Sequence, residues 1–187
     1  MKKILAALFF LTIVTVSANA QFGVRAGFSS SNFSKTNYRS KSGFHFGGYY
    51  TVDKTFISIE PGMFFSKKGY ESEELLTGRV VDENLSYLDI PLLVRLNIIP
   101  KFNVFAGPQA SLLLAREYQL GDQITNTTDV IRGYDLGGVI GAQVILPYGF
   151  NAQVNYDFGL TSLNYFNSNF KTQVFKVSVG YSFAPKD

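Results

Sequence analysis

The side chains in this chain that are equipped for chemistry are few and scattered: the carboxylates Glu60 and Asp89, the cations Arg25, Arg95 and Lys176, and the single histidine His45. Carboxylates and cations in this mixture suit either a proton or ion path or a set of buried salt bridges, because charges removed from water must pair. A catalytic histidine needs a nucleophile and an orienting acid within hydrogen-bond reach. No G-x-S-x-G or comparable signature accompanies His45, so the chain is read as a non-enzyme without catalytic residues. One histidine without clustered partners is too little for a metal site. The absence of cysteine removes disulfides, thiolate metal ligands and thiol catalysis. Gly137-Gly138 and Gly141 mimic part of a phosphate-binding loop, but they open no helix. Asn126-Thr127-Thr128 matches a glycosylation sequon and reads as ordinary loop polarity. No cofactor is expected.

What positions these groups begins with export. Lys2 and Lys3 precede an almost continuous apolar stretch from Ile4 to Val16, and Ala18-Asn19-Ala20 supplies a small-x-small cleavage pattern. Residues 1–20 therefore read as a signal peptide cleaved between Ala20 and Gln21, with residues 21–187 as one domain. The apolar core is too short for a membrane anchor, which takes about 20 apolar residues. No cysteine follows the cleavage site, which argues against lipoprotein processing. Losing Lys2 and Lys3 lowers the formal net charge from +3 to +1, so nothing points to a nucleic-acid partner.

After residue 20 the chain alternates with period two in eight segments. Phe22, Val24, Ala26 and Phe28 alternate with Gly23, Arg25 and Gly27; Phe44, Phe46, Tyr50 and Val52 alternate with His45, Gly47, Tyr49 and Thr51. Ile57, Ile59, Met63 and Phe65 oppose Ser58, Glu60 and Gly62, and Leu88, Ile90, Leu92, Val94 and Leu96 oppose Tyr87, Asp89, Arg95 and Asn97. Val104, Ala106, Ala110, Leu112 and Leu114 oppose Asn103, Gly107, Gln109 and Ser111. Leu136, Ile140, Ala142, Val144 and Leu146 oppose Asp135, Gly137, Gly141 and Gln143. The last two segments are the cleanest. Phe150, Ala152, Val154, Tyr156, Phe158 and Leu160 alternate with Asn151, Gln153, Asn155, Asp157 and Gly159, and Phe175, Val177, Val179, Tyr181 and Phe183 with Lys176, Ser178, Gly180 and Ser182.

The connections alternate long and short. Asp53-Lys54, Pro100-Lys101 and Pro147-Tyr148-Gly149 are short, while Asn32–Ser42, Lys67–Asn84, Tyr118–Arg132 and Thr161–Lys171 are long and polar. Outer-membrane barrels have this asymmetry, with tight periplasmic turns and longer outward loops. Facing decides between two barrels. A lipocalin-like soluble barrel buries an apolar lumen, but eight strands enclose room for only a limited set of side chains. The numerous Leu, Ile, Val and Phe groups must then point outward into lipid, and the hydrophilic face must fill the lumen. The expectation is an all-β, eight-stranded antiparallel up-and-down transmembrane β-barrel. Arg25, Glu60, Asp89, Arg95 and Lys176 would form a lumen polar network. Phe150, Val154, Tyr156, Phe158, Phe175, Val177, Val179, Tyr181 and Phe183 would face lipid. Phe22, Tyr148, Phe150 and Phe183 would sit near an interface as an aromatic girdle. His45 would lie near the outer rim. Pro61, Pro91 and Pro108 fall inside strand segments, and each forfeits a ladder bond. Local bulges are expected there, with the inward-outward phase of segments three to five slipping by one.

The chain resembles the PorT-like outer-membrane β-barrel proteins of Bacteroidetes. The resemblance rests on Gly23-Val24-Arg25-Ala26-Gly27, Glu60-Pro61, Ser66-Lys67-Lys68-Gly69, Tyr87-Leu88-Asp89-Ile90-Pro91-Leu92-Leu93-Val94-Arg95, Ala106-Gly107-Pro108, Tyr156-Asp157-Phe158-Gly159-Leu160-Thr161-Ser162 and Val179-Gly180-Tyr181-Ser182-Phe183. It implies the barrel fold, prolines at the same places, and a bacterial outer-membrane location, with no shared catalytic site. The strand ending at Phe183 looks like an outer-membrane assembly signal, although Ala184–Asp187 trail behind it. One branch of the family is associated with protein secretion, which implies an accessory secretion role as an alternative.

The reading is a non-enzymatic outer-membrane barrel with a structural or surface-interaction role through its outward loops. A secretion accessory and a soluble lipocalin-like binder are the alternatives. Expected partners are outer-membrane lipids and lipopolysaccharide, whose phosphates suit the basic loop bearing Lys35, Arg39 and Lys41. Export and barrel-assembly machinery would act during biogenesis, and secretion-system proteins would be met in the PorT-like case. The loop Lys67–Asn84 mixes Glu71, Glu73, Glu74, Asp82 and Glu83 with Lys67, Lys68 and Arg79. Cell fractionation should place the protein in the outer-membrane fraction, and unboiled samples should migrate differently from boiled ones on electrophoresis. Recovery by osmotic shock without detergent would instead indicate the soluble binder.

Overall fold

The computed structural model of the chain describes residues 20–33, 39–53, 56–73, 80–120, 123–125, 133–160, 163–165, 168–170 and 172–183. Its strands, in chain order, are β1 (Ala20–Phe33), β2 (Arg39–Asp53), β3 (Ile57–Glu73), β4 (Val80–Ile99), β5 (Phe102–Leu120), β6 (Gln123–Thr125), β7 (Tyr134–Ile145), β8 (Phe150–Gly159), β9 (Leu163–Tyr165), β10 (Ser168–Phe170) and β11 (Thr172–Ser182). Eight of them, β1–β5, β7, β8 and β11, each pair antiparallel with their neighbours in sequence. The pairing of β1 with β11, from Gly23 opposite Ser182 to Phe33 opposite Thr172, closes the circle. This is the eight-stranded up-and-down barrel that the alternation requires. Strand β6 adds to the outward end of β5, and β9 and β10 form a separate hairpin. Of the expected signal segment, only Ala20 lies within the described residues, as the first residue of β1.

The interior is inverted relative to a soluble protein. Among the described residues, twenty-three polar or charged residues are buried against eight apolar or aromatic ones. Phe28, Ile57, Met63, Leu92, Ile140, Val154, Phe175 and Val179 instead project from the outer wall. The remaining residues expected to face lipid, Phe150, Tyr156, Phe158, Val177 and Phe183, are exposed on the same wall, and Tyr181 is half-buried among its neighbours. A lipocalin-like reading needs the opposite arrangement and is excluded by this facing.

Two expectations need correction. The prolines introduce no bulge and no phase slip. Pro61 stands opposite Leu92, Pro91 opposite Gln109 and Pro108 opposite Gly138, and the register is the same on either side of each. The reason is that a missing N–H removes a ladder bond without adding a residue, so inward and outward faces keep their order. The register shifts lie elsewhere, between Ser40 and His45, Ser86 and Tyr87, and Asn97 and Ile99. At the second of these, Ser86 faces Ala115 and Tyr87 faces Leu113. Leu114 is thus the extra residue, and the bulge turns Arg116 inward.

The long connections are also shorter than expected, because β3 runs to Glu73, β4 starts at Val80 and β5 reaches Leu120. Beyond the hydrocarbon both faces of a strand meet water, so pairing continues while the hydrophobic alternation fades. On the periplasmic side the turns are tight. In Pro147–Gly149, Tyr148 and Gly149 adopt φ of 63° and 83°. Tyr148 is among the most exposed residues there, an aromatic ring held at the wall's edge by a left-handed turn.

Val177 sits midway along β11 and faces outward. Val177→Arg should cost about 2–4 kcal/mol in urea unfolding from phospholipid vesicles, as charges at the bilayer midplane of such barrels do. An unchanged midpoint would mean that this wall does not lie against hydrocarbon.

Candidate functional site: two charged layers across the lumen

Inward positions of seven strands build the layer nearer the periplasmic end. Glu60 on β3 accepts from Arg25 Nη1 of β1 at 3.0 Å and from Arg95 Nη2 of β4 at 2.6 Å, both on Oε1. Thr51 Oγ1 of β2 donates to Glu60 Oε2 at 3.2 Å. Through Nη1 and Nη2 Arg95 also donates to Asn103 Oδ1 at 2.9 Å, to Gln153 Oε1 at 2.9 Å and to Gln143 Oε1, reaching β5, β8 and β7. The flat faces of the guanidiniums are covered as well. Arg25 lies 4.1 Å over the Tyr49 ring, and Arg95 lies 4.4 Å over Phe105. Arginine cannot shed its proton, so these charges are held by one shared carboxylate, amide oxygens and ring faces. Below them, Tyr49 Oη meets Ser182 Oγ at 2.9 Å and accepts from Asn151 Nδ2 at 2.8 Å.

The outward layer is centred on Asp89 of β4. It accepts from Lys68 Nζ at 2.7 Å, Lys176 Nζ at 3.0 Å, Ser66 Oγ at 2.6 Å and Ser111 Oγ at 2.6 Å. Lys176 bridges on to Asp157 Oδ2 of β8 at 2.7 Å, and Asn155 Nδ2 donates to Asp157 Oδ1 at 2.5 Å. Lys68 Nζ lies 4.9 Å over the Tyr87 ring. All four oxygen sites of a buried carboxylate are thereby taken, which is what burying it demands. A cavity of about 10 Å³ beside Lys68, Gln109, Asp135 and Asp157 has room for one water.

All five charged residues singled out from the sequence lie inside the barrel, in two groups rather than one: Arg25, Glu60 and Arg95 in the first, Asp89 and Lys176 in the second. His45 requires correction. It is not at the rim but buried between the layers, with Nε2 at 2.8 Å from Ser178 Oγ. Its placement follows from β2, whose register puts it opposite Ser66 and Gly27 deep within the wall. No acid orients its Nδ1, which has no hydrogen-bond partner. A histidine and serine in contact without that third group, shut away from solvent, lack the geometry of a hydrolase.

Sequence reasoning missed the apolar part of the lumen. Leu93, Phe105 and Val139 form a buried cluster, and Phe64, Leu85 and Val174 also face inward. Lys68 and Asp157, both charged members of the outward layer, were overlooked as site residues too. Strict alternation around Asp89 and Arg95 would have found Leu93 on the same face.

A closed strand wall with an apolar exterior and a charge-paired interior defines an integral outer-membrane β-barrel. The chain belongs to the outer membrane protein beta-barrel domain family, whose model matches residues 16–165. The fold is also that of the attachment invasion locus protein Ail of Yersinia pestis, at 14% identity and a TM-score of 0.57, covering 88% of this chain and 99% of Ail. Neisserial surface protein A is similar at 12% identity and a TM-score of 0.56, covering 89% of this chain and 98% of that one. A comparison with curated proteins returns no match.

Glu60→Gln leaves two buried guanidiniums without a counter-charge. It should destabilise the barrel by about 3–5 kcal/mol, read as a lowered urea midpoint in lipid. A change below about 1 kcal/mol would show that Arg25 and Arg95 are held mainly by amides and rings.

Proposed function

We propose that this protein is a sealed, non-enzymatic scaffold that presents its outward strands and loops to the surroundings of the cell. The observation that carries this reading is the pair of cross-linked layers, which together tie all eight strands across the lumen. Glu60, Asp89 and Asp157 are each engaged by a cation, so a cation in transit would meet no unpaired carboxylate in the two layers. The layers serve as a structural plug. Meanwhile β4, at 20 residues, spans about 50 Å when tilted by roughly 40°. The apolar band it crosses is about 25 Å tall, so its Val80 end stands well clear of the membrane.

The partner best suited to that outward region is the phosphate-rich surface of lipopolysaccharide, met by Arg39 and Lys41 at the start of β2 and by Lys35 in the preceding connection. Lys35 lies outside the described residues. A structure of Ail with the heparin analogue sucrose octasulfate offers a precedent for a polyanion on this scaffold. Export with cleavage between Ala20 and Gln21, followed by insertion through the barrel-assembly machinery, belongs to the same reading. The segment Tyr87–Arg95, which carries the PorT-like resemblance, supplies Tyr87, Asp89, Leu93 and Arg95 to the lumen. The resemblance therefore bears on packing of the barrel and lends a secretion role nothing specific.

Planar bilayers with the purified barrel should show no single-channel current above background. Reversing Lys35, Arg39 and Lys41 to Glu should weaken binding to lipopolysaccharide by about tenfold or more while heat-modifiable migration is retained, since basic groups near an anionic membrane surface contribute about 1 kcal/mol each. Steady conductance, or binding indifferent to the reversal, would refute the respective half of the proposal.

A further inference from the structure

The outer wall is not uniformly convex. Where β2, β1, β11 and β8 run side by side, a concavity of about 430 Å³ opens on the membrane-facing surface. Its floor is Val24, Ala26 and Val179, with Ala26 between Phe46 on one neighbouring strand and Val179 on the other. Two aromatic groups border it, Phe150 and Tyr181 of the first and Phe46 of the second reaching its lining. On the periplasmic side, Phe22 stacks on Phe183 at 5.6 Å, Phe183 meets Tyr181 edge-on at 5.4 Å, and Tyr181 meets Phe150 at 5.2 Å. On the flank, Phe44, Phe46 and Phe65 cluster with centroids 5.4 to 6.3 Å apart. The floor is low because alanine stands at position 26 between larger neighbours.

We infer that this trough is a binding groove for one acyl chain of a glycerophospholipid from the periplasmic leaflet. The volume falls within the range of ligand clefts, about 300–1,000 Å³, and the lining is predominantly apolar and aromatic as such clefts are, with Arg25, Gly47 and Gly180 completing it. The wall lies in hydrocarbon, so its natural filler is a flexible chain. The choice of leaflet follows from position. The Phe22–Phe183–Tyr181–Phe150 group lies at the end of the wall where β1 begins and β11 finishes, beside the tight β7–β8 turn. Short turns mark the periplasmic side. Tyr181 contributes the one side-chain hydroxyl in the lining, at the headgroup end. A second barrel is the poorer filler. Association within lipid has no hydrophobic drive and needs close-fitting surfaces or interfacial hydrogen bonds. A convex wall laid over a trough leaves a void, whose lining forgoes its dispersion contacts.

The test is native mass spectrometry of the folded full barrel in detergent micelles, titrated with palmitoyl-oleoyl-phosphatidylethanolamine. One lipid should be retained more tightly than the rest. Ala26→Phe, which fills the trough from its floor, should weaken that retention about tenfold, the equivalent of losing some ten close carbon contacts. Val179→Phe fills the same space from the adjacent strand and should act alike. Ile140→Phe, on the outward face of β7, should leave retention unchanged. Heat-modifiable migration verifies folding of each variant. Equal retention by the wild type and both trough variants overturns the groove. So does a wild-type dimer that Ala26→Phe converts to monomer, which would assign the trough to a second copy.

Discussion

A backbone that crosses hydrocarbon finds no water there, so each N–H and C=O must be paired within the protein. With no helix among the described residues long and apolar enough to cross, strands must satisfy that demand, and strands do so only when the sheet has no edges. The β1–β11 pairing removes them. Closure at eight strands then fixes a narrow circumference, and the narrow circumference fixes what each face can carry. Large apolar groups go outward because lipid accepts them there. The interior receives what is left, and most of that is polar or charged.

The interior is consequently built on electrostatic pairing rather than on exclusion of water from apolar groups. Its cations are permanent or costly to neutralise, so each is enclosed on several sides at once. Arg95 has a carboxylate, three amide oxygens and the face of Phe105. Lys68 has Asp89 and the Tyr87 ring. The rings matter as packing as well as charge. A Cβ on Gly141 would stand 2.4 Å from Phe105 Cζ, so the glycine there makes room for the ring that supports Arg95. Gly138 acts in the same way on the outer wall, where the Phe158 ring lies over it and covers the backbone that a side chain would otherwise shield.

A strand in this barrel passes through two solvents, and its sequence changes accordingly. Within the bilayer it alternates in register with the wall, and even three prolines leave the alternation undisturbed because losing an N–H adds no residue to the strand. Above the bilayer the same strand continues without the hydrophobic signal. A bulge at Leu114 lies near this transition and re-aims Arg116 into the mouth. The outward sheet of β3, β4 and β5 thus continues from a closed cylinder whose lumen is crossed by ion pairs.

By itself the sequence determined the barrel, its strand number and the sign of its two faces. Period-two alternation between apolar and polar residues is local, and Phe150–Leu160 or Phe175–Phe183 can be read without knowing any neighbour. It also marked Arg25, Glu60, Asp89, Arg95 and Lys176 as inward, because each sits on the polar phase of such a segment. Tertiary structure decided the partners: that Glu60 serves both arginines while Asp89 serves Lys68 and Lys176, and that His45 lies between those layers. Those pairings join strands up to 87 residues apart in sequence, as for Lys176 and Asp89, and depend on stagger between strands. Alternation carries no information about stagger, since sliding one strand by two residues past the next preserves every face and changes every contact.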